Sequence, residues 1–188
     1  MKKLVTLFGA IILGFTIISC STPNPKDTIL KEANEFFAQA ETELQAIDNA
    51  EDLLHFIKVF DIDREEFGQA LDEKYPKDEN GIFKGMNADE MDAMFTAISE
   101  RATEYNHLEY AKCGEIMEPY IARIEKAANA LYEDYLAGND VNDELVDEYL
   151  EGIDALQTYS DIVPEELADR YFVADSLMYE MFGEEDEY

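Results

Sequence analysis

The residues of this chain best spaced to hold a metal are two acid–histidine pairs, Glu104 with His107 and Asp52 with His55. On a helix, positions three apart share a face, so each pair could offer a carboxylate and an imidazole to one ion. Metal centres in helical bundles use a Glu-x-x-His pair on each of two helices and one Glu from each of two others. Phase argues against that use. If Met91, Ile98 and Ala102 mark the inward face, His107 falls about 160° from Met91, and His55 about 200° from Leu53. Both histidines then face outward, whereas bundle-core ligands must project inward. A calcium loop would need glycine at its sixth position. Counting from Asp61 places Glu66 there, and counting from Asp140 places Leu145. Solvated acids are therefore the reading for 61–72 and 140–151. Nucleophilic chemistry has little to draw on: there are two histidines, no Gly-x-Ser-x-Gly elbow and no phosphate-cradling glycine motif. Carboxylate pairs are too numerous for one to stand out. No catalytic residue, no metal ligand and no cofactor is expected.

The elements that would position these groups are helices. Ile29, Ala33, Phe36, Phe37, Ala40, Leu44 and Ile47 recur at three and four residues and predict a helix over about 27–49. Leu53, Phe56, Ile57, Phe60, Phe67 and Leu71 form a second stripe, with a break expected within 61–66. Tyr75-Pro76 and Asn80-Gly81 mark a loop, from which Ile82 and Phe83 are expected to dock on the core. Asn87 with Glu90 three positions on is a helix-start signature. The third stripe is Met91, Met94, Phe95, Ile98, Ala102 and Tyr105, expected to end near Cys113 and Gly114. A fourth opens at Pro119 and carries Tyr120, Ile121, Ile124, Ala128, Leu131 and Tyr135, stopping at Gly138. Leu145, Val146, Tyr149, Ile153 and Leu156 make the fifth. The sixth opens at Pro164 and carries Leu167, Tyr171, Ala174, Met178 and Phe182. No alternating β-branched run of useful length occurs. The expectation is an all-α fold, a single bundle of about five to six amphipathic helices after a cleaved signal peptide.

That leader has three parts: the cationic Lys2 and Lys3, an apolar run over 4–18, and Ser19 before Cys20. Fifteen apolar positions are short for a permanent span, which needs roughly 20, and suit a cleavable export signal. With Ile17, Ile18, Ser19 and Cys20 in the lipobox position, the leader resembles that of a bacterial lipoprotein. Isoleucine where leucine is commonest gives a looser, Bacteroides-like lipobox. The resemblance covers about a tenth of the chain and implies cleavage before Cys20, with lipidation of Cys20 by diacylglycerol and an added acyl chain such as palmitate. Two or more chains anchor stably where one is marginal. Ser21 is not the aspartate linked to inner-membrane retention, so the resemblance implies the outer membrane of a Gram-negative bacterium, facing periplasm or cell surface. Lys26-Asp27 is a fragment of the basic–acidic tag that some surface lipoproteins carry. The expected organisation is a signal peptide at 1–19, a lipidated N-terminus and tether at 20–27, an acidic helical domain at 28–183 and an acidic tail at 184–188.

Acylation of Cys20 leaves Cys113 with no partner for an intrachain disulfide. A buried, unreactive thiol is favoured over a reactive one, because free cysteine is usually buried. Residues 20–188 hold all 44 acids and 12 of the 14 bases, a net charge of −32. The segment 127–188 has 19 acids and a single base, Arg170. Nucleic acid is excluded as a partner, since binding it requires neutralising phosphates. Anionic headgroups are disfavoured for the same reason. A cationic ligand or a basic protein surface is allowed, beside the membrane that the Cys20 anchor would reach. The 11 tyrosines fit either an aromatic, acid-rimmed binding surface or rings closing the bundle edge with hydroxyls in water. The leading expectation is an envelope lipoprotein with a non-enzymatic binding or assembly role. The alternative is a metal-dependent helical-bundle enzyme or metal-binding protein.

Overall fold

A computed structural model describes residues 24–183; the expected signal peptide at 1–19, Cys20, most of the expected tether and residues 184–188 lie outside the described residues. Among the described residues the fold is an all-α bundle of five α-helices: α1 (Pro25–Gln45), α2 (Ala50–Lys74), α3 (Ala88–Ala137), α4 (Asp143–Thr158) and α5 (Glu165–Phe182). Four starts are set by asparagine. The Asn24 side chain accepts from Lys26 N, Asn49 from Asp52 N, Asn87 from Glu90 N and Asn142 from Glu144 N. Each bond satisfies an amide that has no partner within the helix. At Asn87 the bond is reciprocal, because Asn87 N also donates to Glu90 Oε2 at 2.9 Å, the capping box that the sequence predicts. Every helix carries acid in its first turn, favoured by the positive end of the helix dipole.

Three expected boundaries are corrected. No break occurs within 61–66, and α2 runs through it. Phe60 and Phe67, two turns apart on one face, stack on Phe36 of α1 with centroids 5.4 and 4.6 Å away. That stacking holds both sides of the supposed break in one register. The third and fourth stripes are a single 50-residue helix, α3, with Pro119 inside it. Tyr105 and Ile116, both buried, are eleven residues apart, which is about 20° of phase on an α-helix. The inward face therefore continues unchanged across Gly114. Proline inside a helix costs about 3 kcal/mol and forfeits a bond to the carbonyl four residues back. Here Pro119 and Glu115 are both exposed, so water can reach the freed carbonyl. Six stripes thus become five helices. The first helix also ends earlier than its stripe, because Asn49 serves as the cap of α2; Ile47, outside the helix, is nevertheless buried.

The described residues divide into two compact units, 24–41 with 57–105 and 42–56 with 106–183. In the first, Ile29, Phe83 and Met94 form a buried cluster, with Leu71, Tyr75 and Met91 packed against it. The loop delivers Phe83 by folding back on itself. Asp78 N donates to Ile82 O, Lys84 N donates to Pro76 O, and the Asp78 carboxylate accepts from Asn80 N and Ile82 N. Gly81, at φ 79°, occupies the left-handed conformation this reversal requires. In the second unit the buried side chains of α3 are Cys113, Ile116, Met117, Ile121, Ile124, Ala127, Ala128 and Leu131. Those of α4 and α5 are Tyr149, Leu156, Leu167 and Ala174.

Candidate functional site

In the second unit α5 is fastened by polar contacts that consume the chain's own acids. Arg170 grips Glu125 of α3 with two bonds of 2.9 and 2.6 Å, and its third nitrogen reaches Glu118 at 2.7 Å. The two-pronged geometry matches guanidinium to carboxylate and is stronger than a single contact. The Tyr110 hydroxyl donates to Glu166. Tyr149 of α4 donates to Asp175 at 2.8 Å, and Tyr132 of α3 to Glu180 at 3.0 Å. A fourth pair lies in the first unit, where Tyr75 donates to the Glu32 oxygen that Lys74 also holds. Tyrosine here does the work of a base. Lysine and arginine are scarce, and a phenol can satisfy a carboxylate without adding charge. These four hydroxyls are bonded to acids, which neither reading of the tyrosines anticipates.

The electrostatics follow from the contacts. The guanidinium of Arg170 holds Glu125 below its ordinary carboxylate range. Burial, then the Asp175 carboxylate, raises the Tyr149 phenol well above its ordinary value of 10.0. A depressed carboxylate contributes stability above its unfolded value and loses it as pH falls; a raised phenol contributes below its unfolded value and loses it as pH rises. Thermal melting should therefore fall on the alkaline side from about pH 10 upward. Tyr149→Phe should lose about 1 kcal/mol at neutral pH yet melt with a flatter alkaline flank. An unchanged flank in melts between pH 8 and 11 would refute the assignment.

With its inner side fastened, α5 turns apolar residues outward. Phe172 is 60% exposed, Val173 67% and Tyr179 75%, with Phe182 half exposed near the end of the helix. No protein-family model, no curated protein and no solved structure matches the chain. The site therefore stands on its own geometry.

The residues singled out by chemistry are dispersed. Cys20 lies outside the described residues. His55 and His107 are exposed, on the faces that helical phase assigns them. Their partners serve elsewhere: Asp52 caps α2 with Asn49, and Glu104 lies 3.6 Å from Arg101. Asp61 pairs with Arg64 within α2. Asp140 precedes α4, and the acids of 143–151 lie on that helix. Among the described residues no group of three or more His, Cys, Asp or Glu side chains stands ready to hold a metal ion. Cys113 is buried, as its type favours, and burial followed by the nearby Glu109 pushes its thiol up to about 11. It stays protonated near neutral pH and is a poor nucleophile. A groove of about 490 Å³ in the first unit has Ile29, Phe83 and Met94 in its lining and Arg64 and Lys77 among its polar groups. Arg64 is paired with Asp61, and Lys77 is paired with Asp72 and lies over the Phe83 ring. One signal for the α5 fastening was present in the sequence: a lone arginine within 127–188 has only acids to pair with.

Proposed function

We propose that this chain is a lipid-anchored cell-envelope protein of a Gram-negative bacterium, held at the outer membrane through acylated Cys20. Its role there is non-enzymatic binding or envelope assembly, on the periplasmic or cell-surface side. The observation that carries the anchor is the order of the leader: two lysines, a short apolar run, a small residue and Cys20. Among the described residues no helix is long and apolar enough to cross a membrane, and in this reading the acyl chains supply the attachment. The binding role draws support from the outward apolar face of α5 and the acids around it. The dispersal of the acid–histidine pairs leaves the metal-enzyme alternative without a favouring observation.

Cells fed a labelled fatty acid should incorporate it into the protein, which should then partition with the membrane fraction. Cys20→Ser should abolish both labelling and normal cleavage. A mature protein that is unlabelled and freely soluble would overturn the anchor.

A further inference from the structure

We propose that the outer face of α5 docks a cationic amphipathic helix of another envelope protein, with large apolar side chains flanked by lysine or arginine. This rests on the binding role proposed above and names its site and partner class. Three observations carry it. Phe172 and Tyr179 are seven residues apart and therefore share a face, and Val173 is exposed about 100° round the helix from Phe172, beyond the line of Asp169 and Ser176. All three are at least 60% exposed on a regular helix, Phe172 and Val173 near its middle and Tyr179 in its last turn. Phenylalanine and tyrosine supply large contact area with few rotors, which makes them common anchors of protein interfaces. The helix presenting them is held along its sides by Arg170, Glu166 and Asp175, and near its end by the bond from Tyr132 to the exposed Glu180, so the face is preformed. Preorganisation lowers the entropy lost on docking.

Charge selects the occupant. Asp169 lies one turn before Phe172 and Val173, and Glu180 one residue after Tyr179. Arg170, the single base of 127–188, is committed to Glu118 and Glu125. A neutral apolar partner would desolvate the flanking acids without compensation. A second copy would bring like charge against like, and nucleic acid or an anionic bilayer would do the same. Lysine and arginine beside the partner's apolar residues match the rim and speed encounter. The patch extends toward α3, where the exposed ring of Tyr135 lies 6.3 Å from that of Tyr132, the residue bonded to Glu180.

The test uses the exported mature chain on phosphatidylcholine vesicles, with fluorescently labelled 18-residue peptides. One peptide is an amphipathic helix of leucine and lysine, one is the same composition scrambled to remove its apolar face, and one replaces lysine with glutamate. Capture above protein-free vesicles is expected for the first peptide alone. It should weaken roughly tenfold in the variant Phe172→Ser/Val173→Ser/Tyr179→Ser and several-fold in Asp169→Lys. Far-ultraviolet circular dichroism checks that both variants keep their helices. Flotation of the protein with the vesicles reports the anchor separately; if the chain does not float, the same titration in solution still reports the face. Equal capture by the triple variant, or of the scrambled peptide, would overturn the proposal by showing a non-specific charge effect. Self-association abolished by the triple variant, with no peptide captured, would overturn it in favour of a second copy.

Discussion

Phe60→Ala should lower the stability of the protein by about 3–5 kcal/mol, the range for removing a buried aromatic ring. Phe60 is 2% exposed and lies among other rings, with centroids 4.4 Å from Tyr105, 5.4 Å from Phe36 and 6.4 Å from Phe37. Alanine would remove the ring's own burial, leave a cavity, and end three aromatic contacts each worth about 0.5–1.5 kcal/mol beyond area. For a chain of this length the loss corresponds to a fall in melting temperature of roughly 6–20 °C. Ile62→Ala on the same helix is the control. Ile62 is 58% exposed, and its truncation should change stability by no more than about 0.5 kcal/mol. Chemical denaturation of both variants decides the matter. A loss below about 1 kcal/mol for Phe60→Ala would mean that the aromatic cluster is not a load-carrying core.

The same cluster shows what could and could not be read from residues alone. The spacing of Phe56, Phe60 and Phe67 marks an inward face, but 61–66 is nearly all polar and locally reads as an interruption. Polar residues between two in-phase aromatics are equally the outer side of one helix, and Phe36 decides for that by stacking on both. Contacts from a distant segment are what a local pattern lacks. In α3 local penalties compete with a longer pattern. Gly114 and Pro119 are real helix penalties, about 1 and 3 kcal/mol, yet each is local, whereas the buried stripe from Cys113 to Leu131 involves a whole set of side chains. Asn87 was legible because both halves of its cap lie within four residues.

The candidate site divides along the same line. The outward phase of His55 and His107 follows from periodicity alone, and the structure agrees. The pairing of Tyr110 with Glu166, or of Tyr132 with Glu180, spans about fifty residues and has no local signature. Composition nevertheless bears on it. A chain with 14 bases for 44 acids has few lysines and arginines to offer the carboxylates that do pack against the fold. Phenols meet that need and can be half-buried where an ammonium could not. The exposed face of α5 was harder to see, because Phe172, Val173 and Tyr179 sit among residues of the buried stripe in the sequence. Phase counted from Leu167, Tyr171, Ala174 and Met178 turns all three away from the stripe, and the Arg170 contacts hold the helix in that rotation.

Gly152→Leu should destabilise the protein by about 3 kcal/mol, although in an isolated helix the change would be favourable. Gly152 is buried, in phase with Tyr149 and Leu156 at the centre of the inward stripe of α4. A Cβ added there would overlap Cγ1 of Ile124 and lie 3.2 Å from its Cδ1. Ile124 is completely buried in α3, and Cγ1 is too close to the backbone to swing away freely. The glycine is thus a place where α4 approaches α3 too closely for a side chain to fit without movement. Gly152→Ala sets two terms against each other: about 1 kcal/mol gained in helix propensity and about 1–3 kcal/mol of overpacking, for a net loss near 1 kcal/mol. The sign depends on the isoleucine. In an Ile124→Ala background, itself costing about 2–5 kcal/mol, the added methyl enters vacated space, and Gly152→Ala should become neutral or stabilising. The coupling between the two sites should then reach about 1–2 kcal/mol in a double-mutant cycle. Equal effects of Gly152→Ala in both backgrounds would show that the overlap is relieved by movement of α4 as a whole.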